Sequence, residues 1–321
     1  MPCFSHIVEE NVSLPLRLDR YVPEILNLLS RSQIKAKNMK AKINGKDVKL
    51  SRLVKQGDCL ELVWEESSPV NIIPEDLPLD VIYEDANCIV VNKAQNMVVH
   101  PGAGNRQGTL ANALFFRKYK KNGGDDENIL RGEIPCTQRP GIVHRIDKDT
   151  SGIIIAAYDD ETLAFLAEQF KTRKVQKKYI AVVQGAPKEI KGRIETFIAR
   201  DPKNRKRFAV CAAGRNAVTF YKVIKSWRAF NGVSYSLLLL RPRTGRTHQL
   251  RVHLRYLGSP ILGDPVYGSA DKLFPDASLM LHSKSLTIML PGENEERNFS
   301  SPVPERFNAV IKKLDRMNAN G

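Results

Sequence analysis

Three prolines crowd the segment SSPVNIIPEDLP at residues 67–78, and no hydrophobic period survives across it. Proline brings no backbone N–H to a helix or a sheet ladder and holds φ near −65°, so this stretch reads as an extended connector. It divides the chain into a small front unit, residues 1–66, and a larger unit, residues 79–321. With 42% hydrophobic residues the chain can bury real cores. No apolar run approaches the roughly 20 residues of a membrane-spanning helix. The opening MPCFSHIVEE lacks the basic-then-apolar order of a secretory signal, and the expectation is a cytoplasmic protein.

In the front unit, Leu18, Val22, Ile25 and Leu29 recur at three- and four-residue steps, which predicts a helix burying one face, with Pro23 kinking or restarting it. AKINGKDVKL follows, where Asn44-Gly45 suits the two positive-φ positions of a tight hairpin and Val48 and Leu50 alternate toward one side. Nine lysines or arginines against one acid, Asp47, lie between Arg31 and Lys55. That density is either a solvated face or a field that attracts phosphates. RLDRYV, LSRSQIK and KINGKDVK together resemble the S-four-type RNA-binding domain, named after a small-subunit ribosomal protein, over about fifty residues. The chain as a whole carries 50 basic against 35 acidic residues, a formal charge of +15, so a polyanion is the first partner to consider.

The larger unit interleaves short strand-like runs (DVIYED, CIVVNK, GIIIAAY, KKYIAVVQG, AVTFYKVIKSW, VSYSLLLLRP) with a helical period in TLAFLAEQFKTRK. The fold expected is α+β, a mixed sheet with helices and a central cleft rather than strict βαβ repetition. A phosphate-binding G-x-x-x-x-G-K-[ST] is absent, and GAGNRQG at 102–108 misses the dinucleotide spacing by one residue, so ATP and NAD find no support. The five cysteines, Cys3, Cys59, Cys88, Cys136 and Cys211, never fall as C-x-x-C, and the six histidines form no H-E-x-x-H. Neither a disulfide framework nor a metal is expected. His248 and His253 are five apart, a poor match to one helix face.

The chemistry concentrates in GIVHRIDKDTSGIIIAA, residues 141–157, where His144, Arg145, Asp147, Lys148 and Asp149 sit between two apolar runs. Asp147, flanked by two cations in a loop, reads either as a turn cap or as a carboxylate ready for attack. Asp149-Thr150-Ser151-Gly152 also spells the aspartic-protease signature, but that chemistry needs two carboxylates from paired lobes and the tetrapeptide occurs once. A helix over Thr247–Leu257 would put Leu250, Leu254 and Leu257 on an apolar stripe and His248, Arg251 and Arg255 on a polar face. KTRKVQKK at 171–178 and RDPKNRKR at 200–207 are additional basic clusters, solvent-facing or flanking an RNA path.

HRIDKDTSG at 144–152 resembles the H-R-L-D-x-x-T-S-G motif of RluA-type pseudouridine synthases, with Ile146 where leucine is usual. KKYIAVVQG at 177–185, RPRTGRTHQLRVHL at 241–254, PILGDPVYG at 260–268 and LMLHS at 279–283 resemble further segments of that family in the same order, so the likeness covers about residues 79–300. The resemblance implies isomerisation of uridine to pseudouridine in RNA, with Asp147 the catalytic carboxylate. It implies that Arg145 enters the space left by a flipped base, that Tyr179 stacks on the uracil, and that Arg251 pairs with the catalytic acid. No cofactor or metal is implied, because the reaction exchanges two bonds inside one nucleotide. The front domain points to large-subunit ribosomal RNA, with transfer RNA the alternative; the expected oligomeric state is a monomer. A non-enzymatic RNA-binding protein would use the same positive charge, and the chemistry of Asp147 separates the two readings.

Overall fold

The computed structural model describes residues 3–9, 15–29, 31–65, 72–102, 104–125, 141–204, 207–229 and 232–319. Cys136, Arg205, Lys206 and residues 67–71 of the connector lie outside the described residues. The chain falls into two compact units, Met1–Asn71 and Ile72–Gly321.

The front unit contains β1 (Cys3–Ile7), β2 (Leu16–Arg17), α1 (Leu18–Glu24), α2 (Arg31–Ala36), β3 (Lys40–Ile43), β4 (Lys46–Val48), β5 (Leu53–Val54) and β6 (Cys59–Val63). A four-stranded antiparallel sheet in the order β1-β6-β3-β4 carries the core, and β2 pairs with β5. Asn44 and Gly45 take φ of 52° and 76°, the left-handed values that let a two-residue turn follow the twist of β3 and β4. The side chain of Asn44 locks the turn, accepting from the Cys59 N–H at 2.8 Å and donating to Asp58 Oδ1 at 2.9 Å. Ala41, Ile43, Leu60 and Leu62 pack against Leu18, Tyr21 and Val22 of α1. Lys40, Lys42, Lys46, Lys49, Arg52 and Lys55 stay exposed. The expected apolar stripe does not continue through one helix: α1 stops at Glu24, Ile25 is 41% exposed, and Leu29 is buried only after the chain has turned. Pro23 leaves the Asp19 carbonyl without an N–H partner, the chain turns at Asn27 in a left-handed conformation at φ 51°, and the helix restarts at Arg31.

The larger unit runs β7 (Val81–Glu84), β8 (Cys88–Lys93), α3 (Leu110–Lys121), β9 (Gly141–Ile142), β10 (Ser151–Ala157), α4 (Asp160–Lys171), β11 (Gln176–Gln184), β12 (Lys191–Arg200), β13 (Phe208–Cys211), β14 (Arg215–Arg228), β15 (Ser234–Pro242), α5 (Gln249–Tyr256), β16 (Leu281–Met289), β17 (Glu296–Ser300) and α6 (Glu305–Ala319). Its strands form one mixed sheet in the order β13-β12-β14-β15-β11-β16-β10-β8-β7, with β17 on β16 and β9 on β10. Among the described strands β10 and β16 run parallel and the other pairs antiparallel. The apolar run of β10 is buried on both faces, as a strand covered by helices on each side requires. Ile154 and Ala156 enter the core that takes α3, α5 and α6, while Ile153, Ile155 and Ala157 enter the core under α4. The fold is therefore α+β, with the loop of charged residues opening directly out of its most buried strand.

Candidate active site

Asp147 lies in the loop from β9 to β10, and every neighbour of that loop acts to fix it. At its exit, Gly152 pairs with Ser283 at φ 115°, and a side chain there would meet the Ser283 carbonyl oxygen at 2.2 Å. Only glycine allows β10 and β16 to approach this closely. Next to it, the buried Ser151 Oγ lies 2.8 Å from His282 Nδ1 and accepts from the half-buried Arg306 Nη2 at 2.6 Å. This bonding leaves Ser151 a buried structural group. His144 accepts the Ile155 N–H at 3.1 Å and stacks on Phe170 at 4.6 Å between ring centres. Burial, with Lys177 adding to it, pulls the His144 imidazole down to about 3 and keeps it a neutral acceptor.

Lys93, at the end of β8, is not singled out by its sequence context. It is 1% exposed, and its Nζ donates to the carbonyls of Ala94, Met97 and Lys148 at 2.7, 2.8 and 3.1 Å. The last of these ties the loop to the sheet one residue after Asp147. Burial pulls the ammonium down to about 7 against the attraction of Asp149 and Asp147. A lysine ending an apolar strand is the available signal, but its partners come from the turn that follows it and from the distant loop at Lys148.

Asp147, Arg145, Tyr179 and Arg251 border one cleft of about 610 Å³. Arg145 is exposed at its edge, and Asp147 keeps 21% of its side-chain surface accessible. Tyr179 is buried on β11, where the ladder to β16 skips Lys284 and turns the phenol toward Ser283. Burial pushes that phenol up to about 12, with the Ser283 hydroxyl opposing and Asp147 adding to the shift. Lys171, Arg173, Lys177, Arg215, Arg243 and Arg246 complete the cationic lining, in which Asp147 is the sole carboxylate among the described residues. The basic cluster at 171–178 thus reaches the cleft. Arg207, of the other cluster, borders a separate shallow pocket beside α5.

Arg251 lies nearer a second acid than the one expected to hold it. It is 2% exposed and grips Asp264 with two parallel bonds, Nε to Oδ2 at 2.8 Å and Nη2 to Oδ1 at 2.7 Å, while Nη1 stands 3.5 Å from Asp147 Oδ2. Asp264 Oδ1 also accepts the N–H groups of Val266 and Tyr267 at 2.9 and 3.0 Å. Burial alone would raise the Asp264 carboxyl, but Arg251 and these amides hold it below its usual range. The guanidinium is therefore a fixed charge braced by Asp264 and offered sideways to Asp147. Asp264 sits after Gly263, whose φ of 70° and close approach to the Ala277 carbonyl oxygen leave no room for a side chain. The segment PILGDPVYG stands out in the sequence, but nothing local in it gives Asp264 or Tyr267 a role.

The helix expected over Thr247–Leu257 is shorter. α5 begins at Gln249, and His248 stands before it in a left-handed conformation, φ 55°, with its ring at the cleft. The preceding turn is locked by the buried Gln249 amide, which accepts from Thr244 Oγ1 and the Arg246 N–H at 2.7 and 3.0 Å and donates to Thr219 Oγ1 at 2.9 Å. Leu250 and Leu254 are buried as the stripe requires, and Arg255 faces solvent away from the cleft. His253 is buried against Thr219 and Thr196, a packing role. Cys88 is buried, and desolvation followed by Asp85 pushes its thiol up to about 12, an unreactive state.

A model of the RNA pseudouridylate synthase family matches residues 87–256. The ribosomal large subunit pseudouridine synthase D of Borreliella burgdorferi is 44% identical over 308 residues, covering 94% of this chain and 89% of that protein. An uncharacterized RNA pseudouridine synthase of Chlorobaculum parvum is 39% identical over 324 residues, covering 94% and 95%. Among solved structures, human RNA pseudouridylate synthase domain containing 4 superposes with a TM-score of 0.53 at 26% identity, covering 73% of this chain and 92% of that one.

Proposed function

The chain belongs to the RNA pseudouridylate synthase family and is an isomerase, and from that premise we propose that it converts uridine to pseudouridine in large-subunit ribosomal RNA with Asp147 as the catalytic carboxylate. The observation that carries the assignment is the cleft itself: one accessible carboxylate, Asp147, ringed by cations and bordered by Arg145, Tyr179 and Arg251. The isomerisation breaks the bond from ribose C1′ to uracil N1 and forms one from C1′ to C5; C5 loses a proton and N1 gains one. Asp147 supplies the anion that engages the nucleoside while the base turns. Arg251, held by Asp264, steadies that anion.

A uridine inside folded RNA must leave its stack to reach Asp147, at a cost of a few kcal/mol. Tyr179 offers a ring for the uracil, a contact of about 1–3 kcal/mol, and Arg145 fills the space the base leaves. The printed name of the Borreliella burgdorferi relative supports the ribosomal substrate. The front unit acts as an S-four-type RNA-binding domain, a reading supported by the exposed Lys46, Lys49, Arg52 and Lys55 around one groove. Ribosomal RNA as substrate supports a cytoplasmic location.

Asp147→Asn should abolish pseudouridine formation on a large-subunit ribosomal RNA transcript while leaving RNA affinity within about twofold, because a single exposed carboxylate contributes little to phosphate binding. Activity surviving in that variant overturns the catalytic assignment. Mapping pseudouridines in total RNA from cells with and without the protein tests the substrate: sites lost from transfer RNA instead would overturn the ribosomal reading.

A further inference from the structure

We propose that His248 is a substrate-binding residue of the cleft, a neutral imidazole that donates its Nε2 hydrogen to an acceptor oxygen of the target nucleotide. This rests on the pseudouridine-synthase reading of the same cleft and adds to it a residue outside the set assigned from the sequence.

The argument starts from the backbone. His248 holds φ 55° and ψ 17°, a region that side-chain-bearing residues rarely occupy, and its side chain makes no capping bond to α5. The position is therefore not occupied to cap the helix. Buried bonds of Gln249 keep the turn in that shape, so the ring is aimed by the fold. The Phe208 and Tyr267 rings pack edge-on against it, with ring centres 5.7 and 5.6 Å away and planes at 70° and 86°, which holds its plane.

The proton follows from a chain of hydrogen bonds. The backbone N–H of Phe208 donates to Tyr267 Oη at 2.8 Å, and Tyr267 Oη lies 2.9 Å from His248 Nδ1. A phenol has one hydrogen. That oxygen accepts from Phe208, and Nδ1 is the acceptor within reach of its hydrogen among the described residues, which leaves the imidazole proton on Nε2. The opposite tautomer would leave the phenol hydrogen of a buried tyrosine without an acceptor among the described residues. Burial raises the Tyr267 phenol above its usual range, so it keeps the hydrogen it donates. Burial lowers His248; Asp147 and Asp264 oppose that shift, while Arg251 and Arg145 reinforce it. Nδ1 is thus committed to the protein, and Nε2 remains for what enters the cleft. The acceptor it suits is an oxygen, either a uracil carbonyl or a phosphate oxygen.

Two measurements test this. In protein labelled with 15N-histidine, His248 should show a protonated Nε2 and an unprotonated Nδ1, and Tyr267→Phe should lose that preference; a protonated Nδ1 in the wild type overturns the proposal. In kinetics, His248→Asn tolerates the left-handed backbone but carries its amide at the Nδ1 position, and should lower kcat/KM about tenfold. His248→Gln, whose amide reaches the Nε2 position, should recover most of that loss. Equal activity of His248→Asn and wild type overturns the proposal alone, whereas a wild type that forms no pseudouridine overturns the reading of the cleft and the proposal with it. RNA bearing a neutral methylphosphonate beside the target distinguishes the sources. If the phosphate is the acceptor, His248→Asn costs nothing further on the diastereomer whose methyl replaces the accepting oxygen; if the uracil is, the full loss persists on both diastereomers.

Discussion

Positive charge serves the two units of this protein in different ways. In the front unit Lys40, Lys42, Lys46, Lys49, Arg52 and Lys55 project into solvent from a hairpin and its flanking turns. In the cleft, Arg251 is sealed from solvent and held by two bonds to Asp264, and Arg246 donates Nε to the Asn216 carbonyl at 3.0 Å. Exposed cations are interchangeable: they build a field that salt screens over about 8–10 Å. A buried guanidinium with a committed partner is a geometric part, and its worth depends on where it points.

The contrast is tested most severely at Asp264. Asp264→Asn removes the partner of a buried guanidinium and should cost about 3–5 kcal/mol of stability, with isomerisation lost as well. Replacing both members, Arg251→Met with Asp264→Leu, should recover much of the stability and none of the activity. Denaturant titration alongside a pseudouridine assay decides this, and a fully stable Asp264→Asn protein would reduce Arg251 to an ordinary surface-type charge.

A smaller effect is expected from Lys93, another buried cation. Its folded-state value of about 7 lies below the ordinary 10.5, so between pH 7 and pH 10.5 the unfolded chain binds more protons than the folded one. Lys93 therefore penalises the fold most below pH 7, and the penalty fades as pH rises toward 10.5. Lys93→Met should flatten that rise in a series of unfolding curves, and an unchanged pH profile would mean that the ammonium is not desolvated.

The least change in stability is expected from the front unit. Converting Lys46, Lys49, Arg52 and Lys55 together to Gln should alter stability by no more than about 0.5 kcal/mol per site. RNA affinity should nonetheless fall, and the slope of log affinity against log salt should become shallower by about 0.7–0.9 for each phosphate that is no longer neutralised. An unchanged salt slope would remove the front unit from the RNA-binding surface.

Much of this is legible in the residues. The Asn44-Gly45 hairpin, the strand at 151–157 and the loop of charges before it follow from rules that act over two to seven neighbouring residues. The first helix reads too long because a hydrophobic period continues past Glu24 although the backbone turns at the left-handed Asn27. Arg251 is legible but its stronger partner is not, since an acid in a glycine-flanked turn gives no sign of which cation it will meet. His248 reads as part of a helix face because spacing says nothing of a left-handed residue that carries a side chain.

By itself, the order of amino acids determined the proline-rich connector at 67–78, the basic character of the front unit, the apolar run that becomes β10 and the ordered motifs that point to one family. These are local or additive properties, set by φ preferences, periodicity and summed charge. Only the tertiary structure decided that Asp264 holds Arg251, that Lys93 fastens the loop at Lys148, and that Tyr267 sets the proton of His248. Such pairings depend on how strands, turns and α5 pack together, which brings into contact groups 13 to 55 residues apart in the chain, and no local preference encodes which buried group another will face.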